Sequence, residues 1–187
     1  MKNILIIGAN GFTGRRILND LSVNPIYHVT GCSLRDDICP GKDYRFVRTD
    51  IRDENEVRKL FKECRPDIVI NTSALSVPDY CETHHAEAEA TNVTAVETIA
   101  HVCEQYGSRF IHLSTDFVFD GKSTRLYKEE DEAIPVNYYG VTKLKAEKII
   151  ASICSNYAIV RVVVVYGKAL PGPVSYTHLT LPTICSV

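Results

Sequence analysis

An α/β fold built on a doubly wound parallel sheet is predicted by three features of this sequence. Apolar, strand-like runs alternate with helix-like segments along the chain, the pattern of a parallel sheet covered by helices on both faces. The first run feeds straight into a glycine-rich turn and then a helical pattern. Small or polar residues (Gly8, Ser33, Asp50, Ala74 and Thr115) close successive runs, at what would be the carboxyl ends of the strands, where ligands sit in such sheets.

Each element has its own warrant. Residues 4–7 form a continuous apolar stretch, as expected of a strand buried on both faces. Gly8, Gly11 and Gly14 follow, and Ile17, Leu18 and Leu21 then recur at helical spacing. A strand, glycine turn and helix bring backbone N–H groups and a helix N-terminus to bear on a pyrophosphate. The G-x-x-G-x-x-G spacing of this turn is distinct from the G-x-G-x-x-G of the standard dinucleotide fingerprint. Strands are predicted at 27–33 and 44–50, a charged helix at 53–64, and another buried strand at 67–74. A helix carrying Val93, Val96, Ile99, Ala100 and Cys103 precedes a fifth strand at 109–115. The chain then reads as a helix over 136–152 and a sixth strand at 158–167.

Composition narrows the function classes. At 187 residues there is room for one α/β domain with a sizeable core. A net charge of −2 makes no case for nucleic acid or an anionic membrane surface. No apolar stretch approaches the roughly 20 residues of a membrane span, and the amino terminus reads as a strand rather than a signal peptide. The seven cysteines include no C-x-x-C pair, so neither zinc nor a disulfide framework is indicated and a cytoplasmic location is expected. His84 and His85 are adjacent, hence about 100° apart on a helix, and no metal site is expected there. The acidic stretch 128–133 reads as an exposed loop.

The chemistry-bearing pair is Tyr139 and Lys143, four apart on the helix predicted at 136–152. Residues at i and i+4 share a helical face. A nearby ammonium favours phenolate over phenol, lowering the tyrosine pKa toward working pH. A tyrosine so placed can give a proton to a carbonyl oxygen as hydride reaches the carbon. Thr115 and Asp116, at the end of the fifth strand, are the companions expected beside it. After the second strand, Ser33 and Arg35 precede Asp36. A hydroxyl with a guanidinium suits a 2′-phosphate, which favours NADPH, with NADH the alternative.

Together, the stretches GANGFTG, DIRD, PDIVINTSALSVPDYCE, NVTAVETIA, LSTDFVFDG, PVNYYGVTKLKAEK and AIVRVVVVYG resemble an extended short-chain dehydrogenase/reductase, and within that group the dTDP-4-dehydrorhamnose reductase (sugar-nucleotide-binding) family. The likeness runs from residue 1 to about 172, and its specific part is 66–148. It implies a Rossmann-like fold and reduction of the 4-keto group of a nucleotide-linked deoxysugar. By that resemblance Tyr139 is the proton donor, while Lys143 lowers the tyrosine pKa and bonds the nicotinamide ribose. Thr115 holds the substrate carbonyl, with Asp116 on the substrate side. Gly11, Phe12 and Thr13, within the turn from Gly8 to Gly14, meet the pyrophosphate. Asp50 and Ile51 meet the adenine, and Ser73, Ala74 and Leu75 line the cofactor ribose. The partner implied is a nucleotide-sugar substrate, and a homodimer of the full-length protein is compatible with the family.

Two departures qualify the likeness. Many relatives carry a substrate-touching tryptophan near the end of the sixth strand, where this chain has Val164, and it has no Trp at all. The rhamnose precursor is therefore not fixed as the substrate. Residues 174–187 match nothing in the family, and VSYTHLTLPT looks like a translated transposon-type sequencing adapter. The expected organisation is a dinucleotide-binding domain over 1–173 and a non-native tail over 174–187, with the substrate-binding carboxyl-terminal part largely missing. Two other readings stand beside the reductase: a nucleotide-sugar epimerase or dehydratase of the same superfamily, and a non-catalytic NADP-binding regulatory subunit like the relative that partners methionine adenosyltransferase. A dehydratase usually needs an added carboxylate pair, and here the single Asp116 is followed by Phe117.

Overall fold

The computed structural model describes residues 1–38 and 43–167; the expected boundary at 173 and the tail beyond it lie outside the described residues. The strands are β1 (Lys2–Ile7), β2 (Tyr27–Ser33), β3 (Arg45–Arg48), β4 (Ile68–Asn71), β5 (Arg109–Thr115) and β6 (Tyr157–Val162). They form one sheet in the order β3-β2-β1-β4-β5-β6, with every pairing parallel. The chain reverses its direction of winding between β1 and β4, and that switch opens a crevice at the carboxyl ends of the strands. The predicted fold class is the observed one.

Continuous apolar runs put side chains on both faces of the central strands. Leu5, Ile7, Val69 and Phe110 meet a layer made by α2 (Glu54–Cys64), α5 (Ala95–Tyr106) and α6 (Tyr138–Ile153), which contributes Val57, Leu60, Phe61, Val96, Ile99, Val102, Ala146 and Ile150. On the other face Ile4, Ile6 and Val29 pack on α1 (Phe12–Ser22) through Leu18, with Ile17 and Leu21 alongside. Asp53 caps α2, its carboxylate accepting from the N–H groups of Asn55 (2.8 Å) and Glu56 (3.4 Å).

Several boundaries differ from the predicted ones for one reason: a strand ends where its neighbour ends. The apolar run 158–167 outlasts β6, because β5 stops at Thr115, paired with Val162. Val163, Val164, Val165 and Tyr166 are therefore exposed. The predicted strand at 67–74 shrinks to Ile68–Asn71, since Asn71 pairs with Ile7 and β1 turns at Gly8. Likewise β3 ends at Arg48, opposite Ser33. The helix predicted from 136 begins at Tyr138, because the Asn137 side chain takes the Gly140 N–H at 2.8 Å and caps it there. Ahead of α5 the chain forms α3 (Pro78–Thr83), α4 (His85–Glu89) and a single π-helical turn, Ala90–Thr94, which holds Val93. His84 and His85 each stack on a tyrosine, Tyr80 and Tyr138 respectively. The 128–133 stretch is mostly exposed, with Asp131 paired to Arg125.

The α2–α5 contact tests where the core is tightest. Phe61 is fully buried and meets the edge of Tyr106 at 5.7 Å. Phe61→Ala is expected to cost about 3–5 kcal/mol in a urea unfolding experiment, and a loss below about 1 kcal/mol would show that the site collapses around the cavity.

Candidate active site

The glycine turn shapes one wall of the crevice. Gly8 has φ +82°, and a Cβ there would stand 2.7 Å from the Ser73 amide nitrogen. A Cβ on Gly14 would stand 2.3 Å from the Gly8 carbonyl oxygen, so α1 approaches the turn as closely as backbone allows. Gly11 is the N-cap of α1 and provides no side-chain cap, which leaves the first N–H groups of the helix, at Phe12 and Thr13, aimed at the crevice. This cradle would be filled by any side chain and fits a pyrophosphate.

The loops flanking the turn are tied to it. Asn10 donates to the carbonyls of Arg35 (3.2 Å) and Asp36 (2.9 Å). Arg15, buried under the turn, donates to Asn10 (2.6 Å), Asp37 (2.6 Å) and Tyr44 (2.7 Å). Ser33 is the last residue of β2 and half-buried, whereas the Arg35 side chain is exposed and unpaired among the described residues. Asp50, just past β3, is gripped in a bidentate fashion by Arg52, which holds its carboxyl below the ordinary range. Ile51 follows it, packed at the edge of the core. Neither Asn10 nor Arg15 stood out in the sequence, although an arginine directly after Gly14, inside the glycine turn's helix, was the available signal for Arg15.

On the other side of the switch, Ser73, Ala74 and Leu75 leave the end of β4. Asn92, from the π-helical turn, accepts from the Leu75 N–H (2.8 Å) and donates to the Leu75 carbonyl (3.1 Å) and to Thr142 (3.1 Å). Thr142 in turn donates to the Tyr139 carbonyl at 2.7 Å. The loop after β4 is thus clamped to α6. A π turn widens a helix by one residue and is frequent at functional sites; here it turns Asn92 inward.

Thr115 and Tyr139 meet at the end of β5. Thr115 ends the strand and caps the short 3₁₀ turn Asp116–Val118, taking the Phe117 N–H at 3.2 Å and donating to Asp116 at 3.1 Å. The α6 backbone comes so close to this turn that a Cβ on Gly140 would stand 2.2 Å from the Phe117 carbonyl oxygen. That approach seats Tyr139 beside Thr115 with its ring edge-on to Phe117 at 5.9 Å. Gly140 sits inside the motif yet was not singled out, although a glycine inside a helix signals close packing. Burial pushes the Tyr139 phenol up to about 12, with the neighbouring Cys81 adding to the rise and the Thr115 hydroxyl opposing it.

Lys143 does not lie where the sequence places it. Its Nζ is 2.8 Å from His112 Nε2 and donates to the Leu113 carbonyl at 2.6 Å, and among the described residues no hydrogen bond joins it to Tyr139. Two facts explain this. His112 pairs in register with Asn71 and, like Phe110, points to the α6 side of the sheet, offering a nitrogen in the path of the lysine. Burial also lowers Lys143 to about 7, with Glu147 opposing, so the charge meant to ionise the phenol is itself suppressed. The pairing expected from i, i+4 spacing is therefore replaced, in this structure, by a lysine parked on the sheet.

These features define a nucleotide-binding α/β protein with a Tyr-x-x-x-Lys helix beside the strand ends. The chain belongs to the family described as "RmlD substrate binding domain", which matches residues 1–177. Among solved structures it is similar to a dTDP-4-dehydrorhamnose reductase from Clostridium acetobutylicum (32% identity, TM-score 0.69, 85% of this chain and 52% of that one). It is also similar to one from Bacillus anthracis in complex with NADP (26%, TM-score 0.75, 91% and 56%). Curated relatives include methionine adenosyltransferase 2 subunit beta of Bos taurus, 32% identical over 89% of this chain and 48% of the relative. Another is the "Probable low-salt glycan biosynthesis reductase Agl14" of Haloferax volcanii, 35% identical over 87% and 53%. The chain spans about half the length of the relatives it matches. No helix among the described residues is long and apolar enough to cross a membrane.

Two expectations follow from the packing. Gly140→Ala should lose about 2 kcal/mol on urea denaturation, since the added methyl meets backbone rather than a yielding side chain; an unchanged midpoint would mean that α6 can slide. Lys143, lowered on folding, imposes a penalty that is complete below pH 7 and disappears as pH rises toward 10.5, where the unfolded lysine is also neutral. Wild-type stability measured relative to Lys143→Met should therefore rise from about pH 7 to about pH 10. A flat difference would show that the lysine is not depressed.

Proposed function

We propose that the chain is the dinucleotide-binding and acid-bearing part of an NAD(P)H-dependent reductase acting on the 4-keto group of a nucleotide-linked deoxysugar. The observation that carries this reading is the seating of Tyr139 beside Thr115 at the end of β5, facing the crevice whose opposite wall is the glycine cradle. Membership of the family and likeness to dTDP-4-dehydrorhamnose reductases, one of them in complex with NADP, support it. Residues of this chain fit the cofactor in stretches: Gly8, Gly11, Phe12, Thr13 and Gly14 at the pyrophosphate, Ser33 and Arg35 at a 2′-phosphate, Asp50 and Ile51 at the adenine, and Ser73, Ala74 and Leu75 at the ribose. NADPH is favoured because the exposed guanidinium of Arg35 follows the Ser33 hydroxyl and suits that phosphate.

The nicotinamide, when bound, supplies the hydride. Tyr139 enters as an acid: burial keeps its phenol protonated across the neutral range, so the proton is available for the keto oxygen. Thr115 is placed to donate to the same oxygen once its hydroxyl turns from Asp116, which lies on the substrate side. Phe117 shields the phenol on one side. Lys143, when charged and turned toward Tyr139, stabilises the phenolate that proton transfer leaves.

The regulatory-subunit reading is kept by a specific observation. Methionine adenosyltransferase 2 subunit beta sequences match 89% of the chain at 30–34% identity, and in this structure Lys143 is parked away from Tyr139. One experiment separates the two readings. NADPH oxidation is followed at full length with dTDP-4-keto-6-deoxy-L-mannose, beside Tyr139→Phe. The reductase reading expects turnover that falls about 10²–10⁴-fold in the variant while NADPH still binds. Tight NADPH binding without turnover on this or other 4-keto sugar nucleotides would favour the regulatory reading.

A further inference from the structure

Behind the site, Ser73 and Lys143 are joined through two buried polar groups, Asn71 and His112, that the function above does not use. The Ser73 N–H and hydroxyl both point at Asn71 Oδ1, at 3.0 and 2.6 Å. Asn71 Nδ2 is 3.2 Å from His112 Nδ1, and His112 Nε2 is 2.8 Å from Lys143 Nζ. Asn71, His112 and Lys143 are all buried, with at most 2% of each exposed.

The first link fixes the direction of the rest. A backbone N–H can only donate, so the atom of Asn71 facing it is the oxygen, and the amide nitrogen faces the imidazole. That nitrogen donates, so His112 Nδ1 accepts and carries no hydrogen. The neutral ring then bears its hydrogen on Nε2, pointing at Lys143. An ammonium has three donors and no acceptor, and two donors 2.8 Å apart repel. A neutral amine has a lone pair for the Nε2 hydrogen and an N–H left for Leu113, whose carbonyl it reaches at 2.6 Å.

We propose that His112 is a positioning residue that parks Lys143 as an uncharged amine, and that uptake of a proton by the amine breaks the contact and frees the side chain to turn to Tyr139. The proton bound by the amine comes from solvent, and no other bond is made or broken. The ionisable groups around the amine are His112 from β5, Tyr139 one turn back on α6 and Glu147 one turn on. Arg161 of β6 and Ser114 of β5 hold the Glu147 carboxylate, while Asp116 and Cys81 face the phenol. Burial opposes charge on both members of the His112–Lys143 pair, and the lysine further lowers the affinity of His112 for a proton while Glu147 works against the burial of the lysine; the lowering of both agrees with the parked pair being neutral. The inference gives Lys143 its consequence through the reductase reading, but its proof does not pass through turnover.

The test is nitrogen-15 NMR on the whole chain with labelled histidine and lysine, at a pH about one unit above 7. A parked neutral pair gives His112 an Nδ1 resonance typical of a bare ring nitrogen and an Nε2 resonance typical of N–H, with Lys143 in its amine form. Acidification should convert Lys143 to the ammonium while His112 remains a single neutral tautomer. His112 protonated on Nδ1, or Lys143 charged at that pH, would overturn the proposal. Asn71→Asp supplies the reverse case: a carboxylate accepts from Nδ1, so the tautomer should invert and Lys143 stay charged. Inversion failing in a folded variant would also count against it. Lack of reductase activity would leave these spectra unchanged, so the two readings fail separately.

Discussion

The structure turns on how α6 is fastened to the sheet. A helix laid over β5 and β6 by apolar contact alone could slide or rotate, and the placing of Tyr139 would slide with it. Three polar attachments prevent this: Thr142 to Asn92, Lys143 to His112 and the Leu113 carbonyl, and Glu147 to Ser114 and Arg161. Each is buried or nearly so and hydrogen-bonded to partners on another element. Buried polar groups are tolerated only when satisfied, and breaking one partner costs more than the pair contributes. Such attachments specify position more than they add stability, and Gly140 lets the backbone come close enough for them to form.

Much of the fold was legible because parallel strands buried on both faces are written as unbroken apolar runs. The glycine turn announced itself by spacing, and the structure gives the reason for two of its members: Gly8 needs a positive φ, and Gly14 admits no Cβ. Strand ends were less legible, since an apolar run such as 158–167 says nothing about where the neighbouring strand stops. Pairing is a property of two segments, and only one of them is being read at a time.

The site divides in the same way. Tyr139 and Thr115 are positioned by features that the sequence displays: a helix face and a strand end. The lysine depends on His112, set between apolar neighbours in β5, and on Asn71, the last residue of β4, and their meaning lies in being register partners, 41 residues apart in the chain. The i, i+4 rule correctly put Lys143 on the helical face shared with Tyr139, but a long side chain has more than one partner within reach, and burial decides which form of it is stable. Asn92 was hidden for a different reason, since the π-helical turn that aims it breaks the periodicity a reader relies on.

The sheet order carries a consequence for how the molecule is made. Of the six described strands the earliest in the sequence, β1, lies between β2 and β4 inside the sheet. The two halves therefore grow outward from it in the order in which they leave the ribosome: β2 and β3 on one side, then β4, β5 and β6 on the other. No strand waits for a later one to be threaded between it and its neighbour, except that β1 keeps one open edge until β4 arrives. All pairings are parallel and span a crossover, so each is closed at the entropic cost of a long loop. The nascent chain is thus most vulnerable to mispairing along that edge of β1, the most apolar strand it has, during the interval that α1, β2, β3 and α2 take to appear.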